Sequence, residues 1–433
     1  MRRFLPVLLG AALAVSLPAA EPNRERMVVV ISLDGFPSYA LEDPRLPIPT
    51  IRRLAREGAA AVSSRPINPT VTWPNHTAMV TGTDASRHQV LYNGLLVRPS
   101  ADKPGKIEPW RPKDEMVRQP TLYDLAVKAG LSTAQVDWVA IYGAPNITWK
   151  FAEIPDPDGT IEKELIGRGV ATREQLATFG ESSQAWRDRI WTQAAAHILV
   201  EHKPNLMLFH LLNMDSTHHR YAPMSAASYT AFAFADDRVK ELYDALDKAG
   251  LLPRTTFLIV SDHGFHRVKH LIHAEPALAA AGIKGAWVVP EGGTEMIYVS
   301  DPAQRAALLP RLRETLRNVE GVEDVFGEEA FDKLGLPRAS EPSPDLVLSA
   351  KPGYAFSGGS KGPVITDVAE AGSHGYLNTN PDMQAIFIAW GAGIRSGARL
   401  EQVSTMDVGP TAAALLGLDM GPVQGRVLQE ILK

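Results

Sequence analysis

Cysteine is absent from all 433 residues. The chain therefore has no disulfide, no thiolate metal ligand and no cysteine nucleophile. An excess of basic residues is absent too: 44 Lys and Arg face 49 Asp and Glu, a formal net charge of −5. No global positive field exists to hold a nucleic-acid duplex, so an anionic substrate must be drawn locally, by a metal or a helix end. Beyond residue 20 no run approaches the ~20 apolar residues of a membrane-crossing helix. Extensive disorder is excluded by a composition of 45% hydrophobic and 21% charged residues.

The amino terminus is different. Arg2 and Arg3 precede an uncharged, small-residue-rich run from Phe4 to Ala20, and charged Glu21, Arg24, Glu25 and Arg26 follow. A basic start, a short apolar stretch and small residues near a cleavage point are the layout of a secretory signal. Residues 1–20 are therefore expected to be a signal peptide of an exported protein, periplasmic or secreted. No stable membrane insertion is expected after cleavage, and an uncleaved anchor is the lesser alternative. Oligomeric state carries no signal in the sequence.

Residues 27–33, MVVVISL, form a continuous β-branched run, as in a strand buried on both faces of a parallel sheet. Helical and strand patterns then alternate. Ile51, Leu54 and Ala55 share a helix face, Ser132 to Val136 and Leu206 to Leu212 read as strands, and Val239, Leu242, Tyr243 and Leu246 mark a helix face before the strand Thr255–Val260. The alternation predicts an α/β fold: a mostly parallel central sheet with helices on both faces. From about residue 267 to 370 the chain is rich in Pro and Gly, with a helix through Leu309, Leu312 and Leu316 between short strands. The expected division is a catalytic domain over 21–266 and 371–433, with 267–370 an inserted α+β cap.

Ligands for parallel sheets gather at the carboxyl ends of strands. Three apolar runs end there in chemistry-bearing residues: Asp34, Asp215 with His219, and Asp262-His263. His374 stands in a fourth group, Gly-Ser-His-Gly. Singly, each reads best as a turn, a surface pair or a cap. Jointly, three Asp and three His suit zinc and related divalent ions, and six ligands fit two metals better than one. Thr72, just before a short helix with Pro74 in its first turn, is either a plain N-cap or a nucleophile beside a metal. Trp73 and Tyr376 either pack in the core or stack on an aromatic leaving group.

The ordered set Asp-Gly-Phe, Thr-Trp-Pro-Asn-His, Asn93, Asp-x-x-x-His-x-Tyr-x-Pro, Ser-Asp-His-Gly-Phe and Gly-Ser-His-Gly-Tyr resembles the nucleotide pyrophosphatase/phosphodiesterase family of the alkaline phosphatase superfamily. The resemblance spans nearly all of the chain after the leader. It implies that Asp34, Thr72, Asp262 and His263 bind one zinc, and Asp215, His219 and His374 the other. It also implies that Thr72 attacks phosphorus to form a phosphothreonine and that Asn93 donates to a phosphoryl oxygen. The expected function is hydrolysis of phosphodiester or pyrophosphate bonds in a small-molecule phosphate ester, with two zinc ions or other divalent ions. A phosphomonoesterase, phosphonate or sulfate-ester hydrolase is the alternative, and a silent anion-binding envelope protein a remote one. The chain departs from the family pattern at Met214, His218 and Arg87-His88-Gln89, which places any difference around the leaving group.

Overall fold

The computed structural model describes residues 22–100 and 102–433; the expected signal peptide lies outside the described residues. Eight strands form the main sheet: β1 (Met27–Leu33), β2 (Ala59–Arg65), β3 (Thr133–Val136), β4 (Trp149–Phe151), β5 (Leu206–Leu211), β6 (Thr255–Val260), β7 (Phe387–Gly391) and β8 (Ala398–Ser404). Their order is β8-β2-β7-β6-β1-β5-β3-β4. All run parallel except β7, which is antiparallel to both its neighbours. The helices that matter below are α1 (Pro49–Glu57), α2 (Thr72–Thr81), α3 (Thr160–Gly167), α4 (Gln184–His197), α5 (Asn213–Tyr221), α6 (Ala226–Lys248) and α7 (Val408–Leu415).

Side chains of a strand alternate between its faces. Val29, Ile31 and Leu33 of β1 therefore join one core, with Ile51 and Leu54 of α1, Trp191 of α4 and Phe232, Val239 and Leu242 of α6. Val28 and Val30 join the other, with Met79 and Val80 of α2 and Val408 and Ala412 of α7. Helices on both faces explain why the β1 run is apolar without alternation. Each such side chain fully withdrawn from water contributes roughly 1.5–3 kcal/mol.

Residues 266–373 carry two smaller sheets. One orders Ala286–Glu291, Thr294–Val299, Leu346–Ala350 and Val322–Phe326; the other orders Tyr354–Phe356, His266–Ile272 and Ile365–Ser373. Ile297, Leu312, Leu316 and Leu348 centre their own core. Among the described residues no helix is long and apolar enough to cross a membrane.

Candidate metal centre

The carboxyl ends of β1, β5 and β6 lie side by side, because β1 pairs in register with both neighbours. Asp34 follows β1 directly and Asp262 and His263 follow β6. Asp215 is not at the strand end itself. It is the third residue of α5, where His219 at i+4 falls on the same face. His374 directly follows the strand Ile365–Ser373.

The turns lock to one another. Gly35 N donates to Asp262 Oδ1 at 3.2 Å and Phe36 N to Ser261 Oγ at 2.9 Å. Gly35 has φ +69°, and a Cβ there would lie 2.7 Å from the Phe265 ring, so the turn after Asp34 needs glycine.

Each of the three predicted histidines spends Nδ1 on a backbone carbonyl: His219 on Gly372 at 3.2 Å, His263 on Gly264 at 3.0 Å and His374 on Thr70 at 2.9 Å. A carbonyl only accepts, so Nδ1 carries a proton, and in the neutral ring Nε2 then keeps its lone pair. Those Nε2 atoms face carboxylates at 3.2–3.7 Å. His219 and His374 stand 3.4 and 3.7 Å from Asp215 Oδ1, and His263 stands 3.4 Å from Asp34 Oδ1 and 3.2 Å from Asp262 Oδ2. Asp34 Oδ1, Asp215 Oδ1, Asp262 Oδ2 and His263 Nε2 are all buried without a hydrogen-bond partner. Orphaned buried acceptors are costly, and a cation among them satisfies every one.

Two ligand groups overlap. Asp215, His219 and His374 form one and Asp34, Asp215 and His263 the other, each with ligand atoms within 4.8 Å of one another. Asp215 thus touches both groups, which the sequence reading had kept apart. Burial, then Asp262 and Asp215, raise the Asp34 pKa well above the carboxylate range. Burial lowers His263 to about 4 and His374 well below its ordinary value, so both are neutral at pH 7. Crowded carboxylates beside neutral imidazoles are a donor set for divalent metal.

Thr72 opens α2, and its place corrects the cap alternative. Val71 is the N-cap, with no side-chain cap bond, and Thr72 is the first helical residue. The helix end is tied to the ligand cluster from both sides. Thr70 O accepts from both His374 Nδ1 and Gly375 N, and His76 Nδ1 donates to Thr72 O at 2.8 Å while lying 3.7 Å from Asp262 Oδ2. Asn93 Oδ1 accepts from Trp73 N at 3.0 Å, which leaves its NH₂ as the half free to donate to a ligand.

Sequence reasoning missed four residues around this centre. His210 in β5 places Nε2 3.0 Å from Asp34 Oδ2 and Nδ1 3.0 Å from Asp137 Oδ2. Burial pushes its pKa down, but Asp137 and Asp34 outweigh burial and hold it well above the ordinary value. Asp188 of α4 accepts from Leu212 N and Asn213 N, pinning the turn that aims Asp215. His210 carried a signal as an ionisable residue inside the buried run Leu206–Leu211, and His76 as the last residue of the Thr-Trp-Pro-Asn-His group; Asp137 and Asp188 carried none.

Other sequence candidates fall outside. His218 is buried, donating to Gly35 O and bonded to Ser228 Oγ; Met214 packs in the core; and His88 accepts from Val90 N. The departures at Met214, His218 and His88 are therefore structural. His266 and His270 lie on the strand His266–Ile272, paired to Asp382 and Asp367. Trp73 and Tyr376 are buried in apolar clusters.

A family model described as type I phosphodiesterase / nucleotide pyrophosphatase matches residues 28–377. Human ectonucleotide pyrophosphatase/phosphodiesterase family member 7 is 24% identical over 435 residues, 95% of this chain and 86% of that protein. Bis(5'-adenosyl)-triphosphatase of Mus musculus is 20% identical over 432 residues, covering 97% and 84%. Murine ectonucleotide pyrophosphatase/phosphodiesterase 5 has the same fold, with TM-score 0.74 at 17% identity, covering 94% of this chain and 100% of that one. The murine protein has also been solved as an inactive threonine-to-alanine variant in complex with AMP.

Proposed function

We propose, from the premise that the chain belongs to the type I phosphodiesterase / nucleotide pyrophosphatase family and is a hydrolase of that kind, that it cleaves phosphodiester or pyrophosphate bonds through a phosphothreonine at Thr72. The observation that carries the reading is the convergence of unpartnered Asp34, Asp215, Asp262 and His263 atoms beside the start of α2. Asp34, Thr72, Asp262 and His263 would hold one zinc, and Asp215, His219 and His374 the other. When bound, the two ions supply positive charge for the attacking and leaving oxygens and favour the alkoxide of Thr72.

The chain's own groups do the rest. Thr72 Oγ1 attacks phosphorus in line, and the bond to the leaving oxygen breaks. The uncapped N-terminus of α2 stabilises the developing negative charge. Asn93 NH₂ donates to a non-bridging oxygen, and its own carbonyl is fixed by Trp73 N, so no reorganisation is needed. A neutral amide there, in place of a cationic side chain, suits a monoanionic diester over a dianionic monoester. The AMP complex of the murine relative makes nucleotide esters the first substrates to try. We assign 21–266 and 371–433 to the catalytic domain, 267–370 to a cap that shapes the leaving-group side, and 1–20 to an export signal.

The test is turnover of a chromogenic phosphodiester against its matched monoester by the zinc-loaded protein. The diester is expected to be faster, and Thr72→Ala to lower kcat at least a thousandfold while zinc is retained. Full turnover by Thr72→Ala removes the covalent route; a large monoester preference removes the substrate assignment.

A further inference from the structure

A second group of metal-ligating side chains meets at the opposite end of the main sheet. Glu164 lies on α3, His197 is the last residue of α4, and His202 closes a π-helical turn, Ile198–His202, that continues α4. His197 Nε2 and His202 Nε2 lie 2.5 and 2.8 Å from the same oxygen, Glu164 Oε2. The three ligand atoms fall within 4.8 Å of one another.

The backbone departs from α-helix to achieve this. Residues five apart stand about 140° apart around an α-helix and cannot face one partner. Here Lys203 N donates to Ile198 O at 3.1 Å, an i→i+5 bond, and the wider turn carries His202 round to the side of His197. Lys203 then ends the turn in the left-handed region at φ +49°, which a non-glycine residue adopts at a cost. The His202 ring is held by Trp149 of β4, stacked at 3.9 Å with planes 24° apart. Its plane is nearly perpendicular to that of His197, at 87°. Glu164 is the most open of the three, with its side chain 33% exposed against 8% for His197, so an ion can enter from solvent on the carboxylate side.

We infer that Glu164, His197 and His202 form a further divalent-cation site, taking zinc in preference to calcium or magnesium. Two imidazoles and one carboxylate are borderline-soft donors that suit zinc, and three protein ligands leave the fourth position for water. The site is structural. His202 precedes the start of β5 at Leu206 and Asp215 follows its end at Leu211, and six strand residues span about 20 Å. A metal here cannot reach substrate; it clips α3 to the turn that feeds β5.

The test is zinc content per chain after equilibration at fixed free zinc, for the parent, His197→Ala/His202→Ala and the near-isosteric Glu164→Gln. The double variant is expected to hold one zinc fewer per chain. Glu164→Gln is expected to lose affinity for that one ion at least tenfold, and both are expected to keep diester turnover. Zinc is also expected to raise the thermal midpoint of the parent more than that of either variant. Equal zinc counts and equal affinities overturn the inference and leave the cluster as two histidines hydrogen-bonded to one carboxylate. If the double variant fails to fold, Glu164→Gln alone decides between these outcomes.

Discussion

Asp34 has two oxygens with different employment. Oδ2 is held by His210 at 3.0 Å, whereas Oδ1 is buried, unpartnered and 3.4 Å from His263 Nε2. His210 therefore decides which oxygen is offered to a ligand, and it is itself braced by Asp137 on its other nitrogen. Losing an outer partner of this kind typically costs 10–100-fold in metal affinity. His210→Ala is expected to weaken zinc binding by about that factor, measured by competition with a chelator. His210→Gln, which restores one donor, is expected to recover part of it. Unchanged affinity in His210→Ala would show that the contact only fills space. His219 and His263, proposed as ligands, were singled out because each stands in a short polar group after an apolar run, and His374 because of its Gly-Ser-His-Gly setting. Asp137 and Asp188 were not, because a lone carboxylate in a helix or loop reads as solvated until the fold buries it.

At the scale of elements, the second lobe contains a buried acid with a predictable pH signature. Glu295, in the strand Thr294–Val299, is fully buried, and neither carboxyl oxygen has a hydrogen-bond partner. Burial foremost, with Glu275 adding to it, raises its pKa well above the ordinary value. A carboxyl with a higher pKa folded than unfolded binds more protons in the folded state. Stability is then full below the unfolded value and falls as pH rises toward the folded one, by up to about 1.4 kcal/mol per pH unit. Glu295→Gln cannot ionise, so its stability relative to the parent is expected to rise from pH 5 to pH 8. Urea unfolding at the two pH values checks it; parallel shifts at both would contradict a neutral buried acid.

The turn bearing His374 is equally constrained. Gly375 has φ +81°, and a Cβ there would lie 1.6 Å from Glu291 O. Gly375→Ala is expected to cost about 2 kcal/mol or more and to release His374 from Thr70 O, so zinc content falls together with the thermal midpoint. A variant with full zinc content would show that the turn tolerates the side chain. The Gly-Ser-His-Gly group pointed at the histidine from sequence; that its second glycine is held against a strand of the smaller lobe was not legible, because the contact spans some eighty residues.

Across the whole molecule, the sheet and its two apolar cores followed from strand runs and helix spacing, since a doubly covered parallel sheet leaves near-continuous apolar runs. The reversal of β7 was invisible, because strand direction is set by the connection and not by the run itself. The convergence of the candidate site was legible for a topological reason. β1, β5 and β6 are neighbours in space though residues 27, 206 and 255 are far apart in the chain, so their ends deliver ligands to one place. Overlap of the two ligand groups at Asp215 came only with coordinates. Asp215, proposed above as a ligand of one ion, also borders the other group, so Asp215→Asn is expected to lower affinity for both ions together, where His219→Ala lowers it for one. Isothermal titration of the two variants with zinc separates these outcomes, and loss of one ion only in Asp215→Asn would refute the sharing.

Two cations are proposed to sit together beside the start of α2. The most direct measurement is anomalous diffraction at the zinc edge from crystals grown with zinc. Two strong peaks about 4 Å apart are expected between Asp34, Asp262 and His263 on one side and Asp215, His219 and His374 on the other, with Thr72 Oγ1 against one of them. A single peak, or peaks that leave Asp34 Oδ1 and Asp262 Oδ2 without a metal, would contradict the two-cation centre.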